Sequence, residues 1–222
     1  MAAHLDLEEQ EQLDQLKAFW KRWGNLITWL LTAVLAAFAA WQGWNWYQRD
    51  QAAKAGAMYD EFDRAVTAQD LGKATAAAAD LKTNFPSTGY AAQSALQIAK
   101  LQADKGKADD AKQSLAWVAD KGSEPPYRDL ARLRLAGLQL DAKAYDEAIK
   151  TLDAIKLPEF AALVADRRGD VLLQQDKRDA AKAEYQKALA GMEKTQDYRR
   201  IIEAKLATLG VPTVVDATGA AQ

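Results

Sequence analysis

Apolar and polar positions follow two textures along this chain, and they meet near residue 50. From Gly24 to Tyr47 the sequence reads GNLITWLLTAVLAAFAAWQGWNWY, and no Asp, Glu, Lys or Arg occurs between Arg22 and Arg49. A helix over this stretch rises about 36 Å at roughly 1.5 Å per residue, enough to cross an apolar bilayer core of about 30 Å. From Gln51 onward apolar residues recur three and four apart in Ala-rich, charged sequence, and no stretch alternates with period two. This part is therefore predicted to be entirely helical. Turn signals at Gly72, Pro86 to Gly89, Lys105-Gly106, Gly122 to Pro126, Asp141, Pro158 and Asp176 divide it into helices of roughly 12 to 16 residues.

The continuous apolar centre, Leu26 to Trp41, is short for a span, and tryptophan supplies the rest of the argument. Six of the seven Trp residues lie between Trp20 and Trp46, where amphipathic indoles settle at membrane interfaces. Two other readings compete: a cleavable signal peptide ending at the small-x-small site Ala37-Phe38-Ala39, and a buried helix of a soluble protein. The tail ahead of the run and the aromatic residues Trp41, Trp44, Trp46 and Tyr47 beyond the site favour a permanent anchor. Lys17, Lys21 and Arg22 on its amino side outnumber Arg49 and Lys54 on the other by one, which predicts the tail inside the cytoplasm and the large domain outside. In the tail, the acidic residues Asp6, Glu8, Glu9, Glu11 and Asp14 accompany a helical face of Leu13, Leu16, Trp20 and Trp23. That face either continues into the membrane interface or docks a partner.

The helices after the anchor repeat. Ala74, Ala111, Ala148 and Ala181 stand 37, 37 and 33 residues apart, and Ala99, Ala136 and Gly169 precede the last three by twelve. Apolar residues follow each alanine at four and seven positions: Ala78 and Leu81, Leu115 and Val118, Leu152 and Ile155, Tyr185 and Ala188. The pattern resembles the tetratricopeptide repeat, a helix-turn-helix of about 34 residues whose small residues let two antiparallel helices approach. The last copy fits best. Gln102 and Gln139 stand where a large apolar residue is usual, beside Leu101, Leu138 and Leu140. Phe62 occupies the small position of the first copy, so its opening helix is expected to be irregular. A final helix, roughly Asp197 to Leu209, would cover the apolar end of the array. The expected layout is a tail over 1–23, a transmembrane helix over 24–47, a repeat domain over 51–210 and a flexible tail over 211–222. An ordinary helical bundle is the alternative to the repeat array.

Composition narrows the function. Beyond Gln51 basic and acidic residues are equal in number, so no basic field exists for nucleic acid phosphates. The chain has no cysteine, which excludes disulfides, thiolate metal sites and cysteine nucleophiles. The only histidine, His4, reads as incidental. Asp109-Asp110, Asp146-Glu147 and Asp176 with Asp179 sit at turns or first helical turns, where acidic groups complement the helix dipole. No glycine-rich phosphate loop occurs. No catalytic residue, metal, cofactor or small-molecule substrate is expected.

The resemblance extends beyond the repeat. The tail from Glu8 to Trp20, the Trp-flanked anchor and the run from Phe160 to Asp170, FAALVADRRGD, together resemble the YfgM-like family, the ancillary subunit of the bacterial SecYEG translocon. That resemblance implies a bacterial inner-membrane protein with its repeat domain in the periplasm. It would lie beside the translocon and a membrane-anchored chaperone of the prolyl isomerase type, assisting newly exported, unfolded clients. In a repeat array of this type the first helices line the concave face, and the register places Leu96, Lys100, Leu133, Gly137, Leu140, Asp166 and Asp170 there. Leucines among few charges suit apolar segments of a partner or client; the alternative is that Leu96, Leu133 and Leu140 pack against neighbouring helices. A structural scaffold for an envelope or division complex is the second functional reading.

Overall fold

The computed structural model describes residues 7–193 and 197–211, with side chains from residue 11. His4 and the tail from Pro212 to Gln222 lie outside these residues. Among the described residues every regular element is helical: α1 (Leu7–Thr67), α2 (Leu71–Asn84), α3 (Gly89–Asp104), α4 (Ala108–Lys121), α5 (Pro125–Asp141), α6 (Tyr145–Asp153), α7 (Ala161–Gln174), α8 (Arg178–Ala190) and α9 (Tyr198–Thr208), with one 3-10 turn at Pro158–Phe160 before α7. Internal contacts divide the chain into Met1–Gln51 and Ala52–Gln222.

In the first unit α1 carries large apolar side chains that none of the described residues cover. Trp29 and Trp46 are each 70% exposed and Leu35 66%. A helix apolar all round is normally buried, in a protein core or in lipid, and this one has the length and composition to cross a membrane. Thr28 and Thr32 in its apolar stretch spend their hydroxyls on their own helix, Thr28 Oγ1 donating to the carbonyl of Gly24 and Thr32 Oγ1 to that of Thr28, each at 2.8 Å. Internal satisfaction of this kind is what a hydrocarbon environment demands.

The second unit begins inside α1, whose last turns form the opening helix of the first repeat. That helix is continuous, not irregular as Phe62 led one to expect. Phe62 is fully buried among small neighbours of its cluster, Ala55, Ala65, Ala74, Ala78 and Ala91. Alanines around it leave the volume that its ring fills. At the later small positions Ala99, Ala111, Ala136, Ala148 and Ala181 are all buried, and α3 packs on α4, α5 on α6 and α7 on α8.

Each helix pair turns through the same geometry. Gln69, Gly106, Lys143 and Asp176 have φ of 55°, 75°, 61° and 61°, and they stand 37, 37 and 33 residues apart, the period of the alanines. After each, the next amide closes back on the preceding helix: Asp70 N–H donates to Ala65 O at 3.0 Å, Lys107 to Gln102 at 2.8 Å, Ala144 to Gln139 at 2.8 Å and Lys177 to Leu172 at 2.9 Å. These are Schellman closures with a left-handed residue. The breaks thus fall at Gln69 and Lys143; Gly72 lies inside α2 and Asp141 ends α5.

Gln102 is buried and accepts a hydrogen bond from Ser114 Oγ at 2.9 Å, so a polar pair joins α3 to α4 where the repeat usually has an apolar contact. Leu101 beside it is buried in the core. Another polar clasp closes the third pair. Asp129, 2% exposed, accepts from the amides of Lys156 and Leu157 at 3.0 and 2.9 Å and from Arg132 at 2.6 Å. Burial by itself would raise its pKa; those hydrogen bonds and the Arg132 charge outweigh it and hold the carboxyl below its ordinary value.

Candidate partner-binding face

The first helices of successive repeats are neighbours, α3 against α5 and α5 against α7, because the small residues Ala99, Ala136 and Gly169 bring their partner helices close behind them. Two clefts open along this face. One of about 270 Å³ is lined by Tyr59, Gln93, Leu96, Gln97, Lys100 and Arg134. The other, of about 480 Å³, includes Ala99, Lys100, Arg134, Gly137, Leu138 and Arg167 among its lining residues. Lys100 and Arg134 belong to both, which makes the two one groove.

The residues expected on this face separate into three groups. Lys100 is exposed and lines the groove with Gly137, over which the Arg167 guanidinium lies; a Cβ on Gly137 would stand 3.8 Å from Arg167 Cζ. Leu96 is 5% exposed in a core cluster with Ala92, Ala95, Ala99 and Leu115, while Leu133 and Leu140 are partly buried against Ala136, Ala148, Leu152 and Val171. Asp166 and Asp170 are engaged internally. Lys205 Nζ from α9 donates to Asp166 Oδ1 at 2.8 Å and to Asp170 Oδ1 at 2.7 Å. Tyr198 donates to Asp166 Oδ2, Tyr185 to Asp170 Oδ1, each at 2.8 Å.

This network explains the chemistry of the FAALVADRRGD run. Ala165 and Gly169 are buried, Asp166 and Asp170 receive α8 and α9, and Arg168 reaches Asp153 at 2.6 Å. Burial, followed by the hydrogen bond to Asp166 and that residue's charge, pushes the Tyr198 hydroxyl up to about 12. Tyr185 is raised for the same kinds of reason, with Asp170 as its partner. Both phenols are therefore neutral donors at neutral pH, as the bonding pattern requires.

Arg134 and Arg167 were not singled out by the sequence. The signal was present: Gln97, Arg134 and Arg167 each stand two residues before the small position of their helix. Leucine content drew attention to a different row of the same helices.

Stacked helix pairs that present such a groove bind other macromolecules, and that is the class of protein this fold defines. The profile of the tetratricopeptide repeat-like domain matches residues 17–211. A Neisseria gonorrhoeae protein named "Ancillary SecYEG translocon subunit" is 31% identical over 213 residues, covering 94% of this chain and 100% of its own length. The Escherichia coli K12 protein of that name is 31% identical over 179 residues, 80% of this chain and 85% of its own. A Haemophilus influenzae protein, also so named, is 26% identical over 82% of this chain and 89% of its own length. The chain belongs to the tetratricopeptide repeat-like family of these ancillary translocon subunits, the YfgM-like proteins. Its fold and relatives point to a non-catalytic binding role, and its apolar N-terminal helix fits an inner-membrane protein.

Proposed function

We propose that this protein is a membrane-anchored module that assists protein export at the SecYEG translocon. Residues 24–47 cross the inner membrane, the tail over 1–23 is cytoplasmic and the repeat domain over 51–210 works in the periplasm. There it acts with a membrane-anchored prolyl-isomerase-type chaperone on newly translocated clients. The observation that carries this reading is the similarity to the Neisseria gonorrhoeae relative over 94% of the chain, which takes in the apolar helix as well as the repeats. The slight excess of basic residues before the anchor supports the orientation.

Crosslinking in native membranes, followed by purification and identification of the partners, tests the association. Recovery of SecYEG subunits and the chaperone is expected; recovery of only division or peptidoglycan proteins overturns it. Orientation is readable because the chain has no native cysteine. A membrane-impermeant maleimide applied from the periplasmic side should label Asp120→Cys and spare Gln12→Cys, and the reverse pattern would invert the topology.

A further inference from the structure

We infer that the open amino-terminal end of the repeat array, formed by the last turns of α1 and by α2, is an interface for a second copy of this chain. Stacked helix pairs leave one face uncovered at each end of the stack. At the carboxyl end α9 closes that face, with Ile202 and Leu206 buried in a cluster with Ala181, Tyr185 and Ala188 of α8. At the amino end none of the described residues does so, and a notch of about 530 Å³ stands open between α1 and α2. The next helix pair, 37 residues on by its turn residues, shows what such a face does when it is covered. Its Ile98 and Leu101 are buried in the core of the first pair, and Trp117 packs against the same core.

The first pair carries Glu61, Arg64 and Asp80 at those three positions and keeps Met58, Ala65 and Ala77 as a floor between them. Charges keep the end of an array soluble, but these are also sorted by sign. Arg64 and Lys73 stand nearer the Gln69 turn, Glu61 and Asp80 farther from it along the same two helices. Asp70 is spent locally: it caps α2 by accepting from the Lys73 amide at 3.0 Å and lies 3.5 Å from Lys73 Nζ. Arg64 donates to a neutral group, the Asp60 carbonyl at 3.1 Å, and Glu61 and Asp80 form no ion pair with a described residue. A two-fold axis that reverses the helices lays the basic end of one copy over the acidic end of the other, Arg64 against Glu61 and Lys73 against Asp80, twice over. The patch is thus complementary to itself, which is what an isologous dimer requires. Ala65 and Ala77 in the floor leave room for the two helix pairs to approach. Head-to-tail stacking would instead need the carboxyl end of the second copy, and α9 already occupies it.

Site-directed crosslinking of the full chain in native membranes tests this, without interference because the chain has no cysteine of its own. Ala76→Cys, at an exposed position of the notch, is expected to oxidise to a disulfide-linked pair of this chain, while Asp120→Cys on α4 stays monomeric. Adding Arg64→Glu and Lys73→Glu makes the notch wholly acidic and should lower the yield of linked pairs about tenfold or more through like-charge repulsion. Adding Glu61→Lys and Asp80→Lys to Ala76→Cys instead leaves Asp70 as the one carboxylate of the lining and should have the same effect. Coexpression of the two reversed chains with different tags should restore the crosslink, now between unlike copies. All four reversed positions are exposed, and circular dichroism checks that each variant keeps the native helicity. A yield for Ala76→Cys no greater than for Asp120→Cys, a crosslink to a different protein in place of a second copy, a yield that the reversals leave unchanged, or no recovery on coexpression overturns the inference. The comparison of Ala76→Cys with Asp120→Cys decides the question even where a reversed variant does not fold.

Discussion

Gly169 lies against the ring of Tyr185 so closely that a Cβ built on it would stand 2.6 Å from Cε1 and 2.7 Å from Cδ1. The sequence register leads one to expect Ala181 opposite this glycine, but the nearest atoms are all of the tyrosine ring. Tyr185 has no room to yield, since it is fully buried and its hydroxyl is bound to Asp170. Gly169→Ala is expected to cost about 1 to 3 kcal/mol by overpacking, seen as a lower melting temperature of the full chain in detergent. Tyr185→Leu placed in the same chain should make the alanine less costly than it is alone. An unchanged melting temperature for Gly169→Ala would show that the contact is absent.

Lys205 serves two carboxylates at once, and one of them, Asp166, is 1% exposed. Lys205→Met leaves Asp166 without its cation and Asp170 with Arg167 alone at 3.3 Å, and breaking a buried pair in this way typically costs about 3 to 5 kcal/mol. The loss should be local in its first effect: amides of α9, Tyr198 to Thr208, are expected to exchange with solvent faster than those of α3. Adding Asp166→Asn should restore part of the stability, because it removes one stranded charge. Exchange in α9 that matches the native chain would refute the clasp.

The Asp129 clasp carries a pH signature. Its folded pKa is depressed, so its contribution is present above the unfolded value of about 3.9 and is lost as pH falls through the lower folded value. Asp129→Asn supplies one acceptor where two are used and faces an amide toward Arg132. A loss of about 2 kcal/mol at pH 7 follows from the charged hydrogen bonds forfeited. The gap between native chain and variant should narrow below about pH 3.9. A gap that is constant between pH 7 and pH 3 would mean that the native carboxylate is not specifically stabilised.

Left-handed turn residues offer a test of opposite sign at equivalent positions. Lys143 holds φ at 61° with a β-carbon and Gly106 holds 75° without one. Lys143→Gly should stabilise by about 1 kcal/mol, offset in part by the greater freedom of glycine in the unfolded chain, and Gly106→Ala should destabilise by a similar amount. Melting temperatures that shift in the same direction for both would contradict the shared turn geometry.

The apolar helix is expected to be retained. Edman or mass-spectrometric analysis of membrane-extracted protein should show an uncut amino terminus, and the protein should resist carbonate extraction. A shortened, carbonate-soluble form starting near Ala40 would mean cleavage after Ala37-Phe38-Ala39.

Periodicity along the chain by itself determined the all-helical class, the repeat of helix pairs, the positions of the small residues and the presence of one long apolar helix. Each of these depends on spacing within an element or on its length, and α-helical geometry converts spacing directly into a face. The final helix was legible for that reason, expected over Asp197 to Leu209 and found at Tyr198–Thr208. Only the tertiary structure decided what each face meets. Leu96 and Lys100 lie one turn apart on α3 and both border the groove, yet Leu96 is buried in the cluster that α4 and α5 complete while Lys100 is exposed. Asp166 and Asp170 share a helical face, but their partners come from α8 and α9, as many as 39 residues away in the chain. Phe62 fits a position reserved for small residues because surrounding alanines yield the volume it takes. In each case the deciding quantity was the shape and charge of a neighbour distant in sequence, which the periodicity of a single helix does not encode.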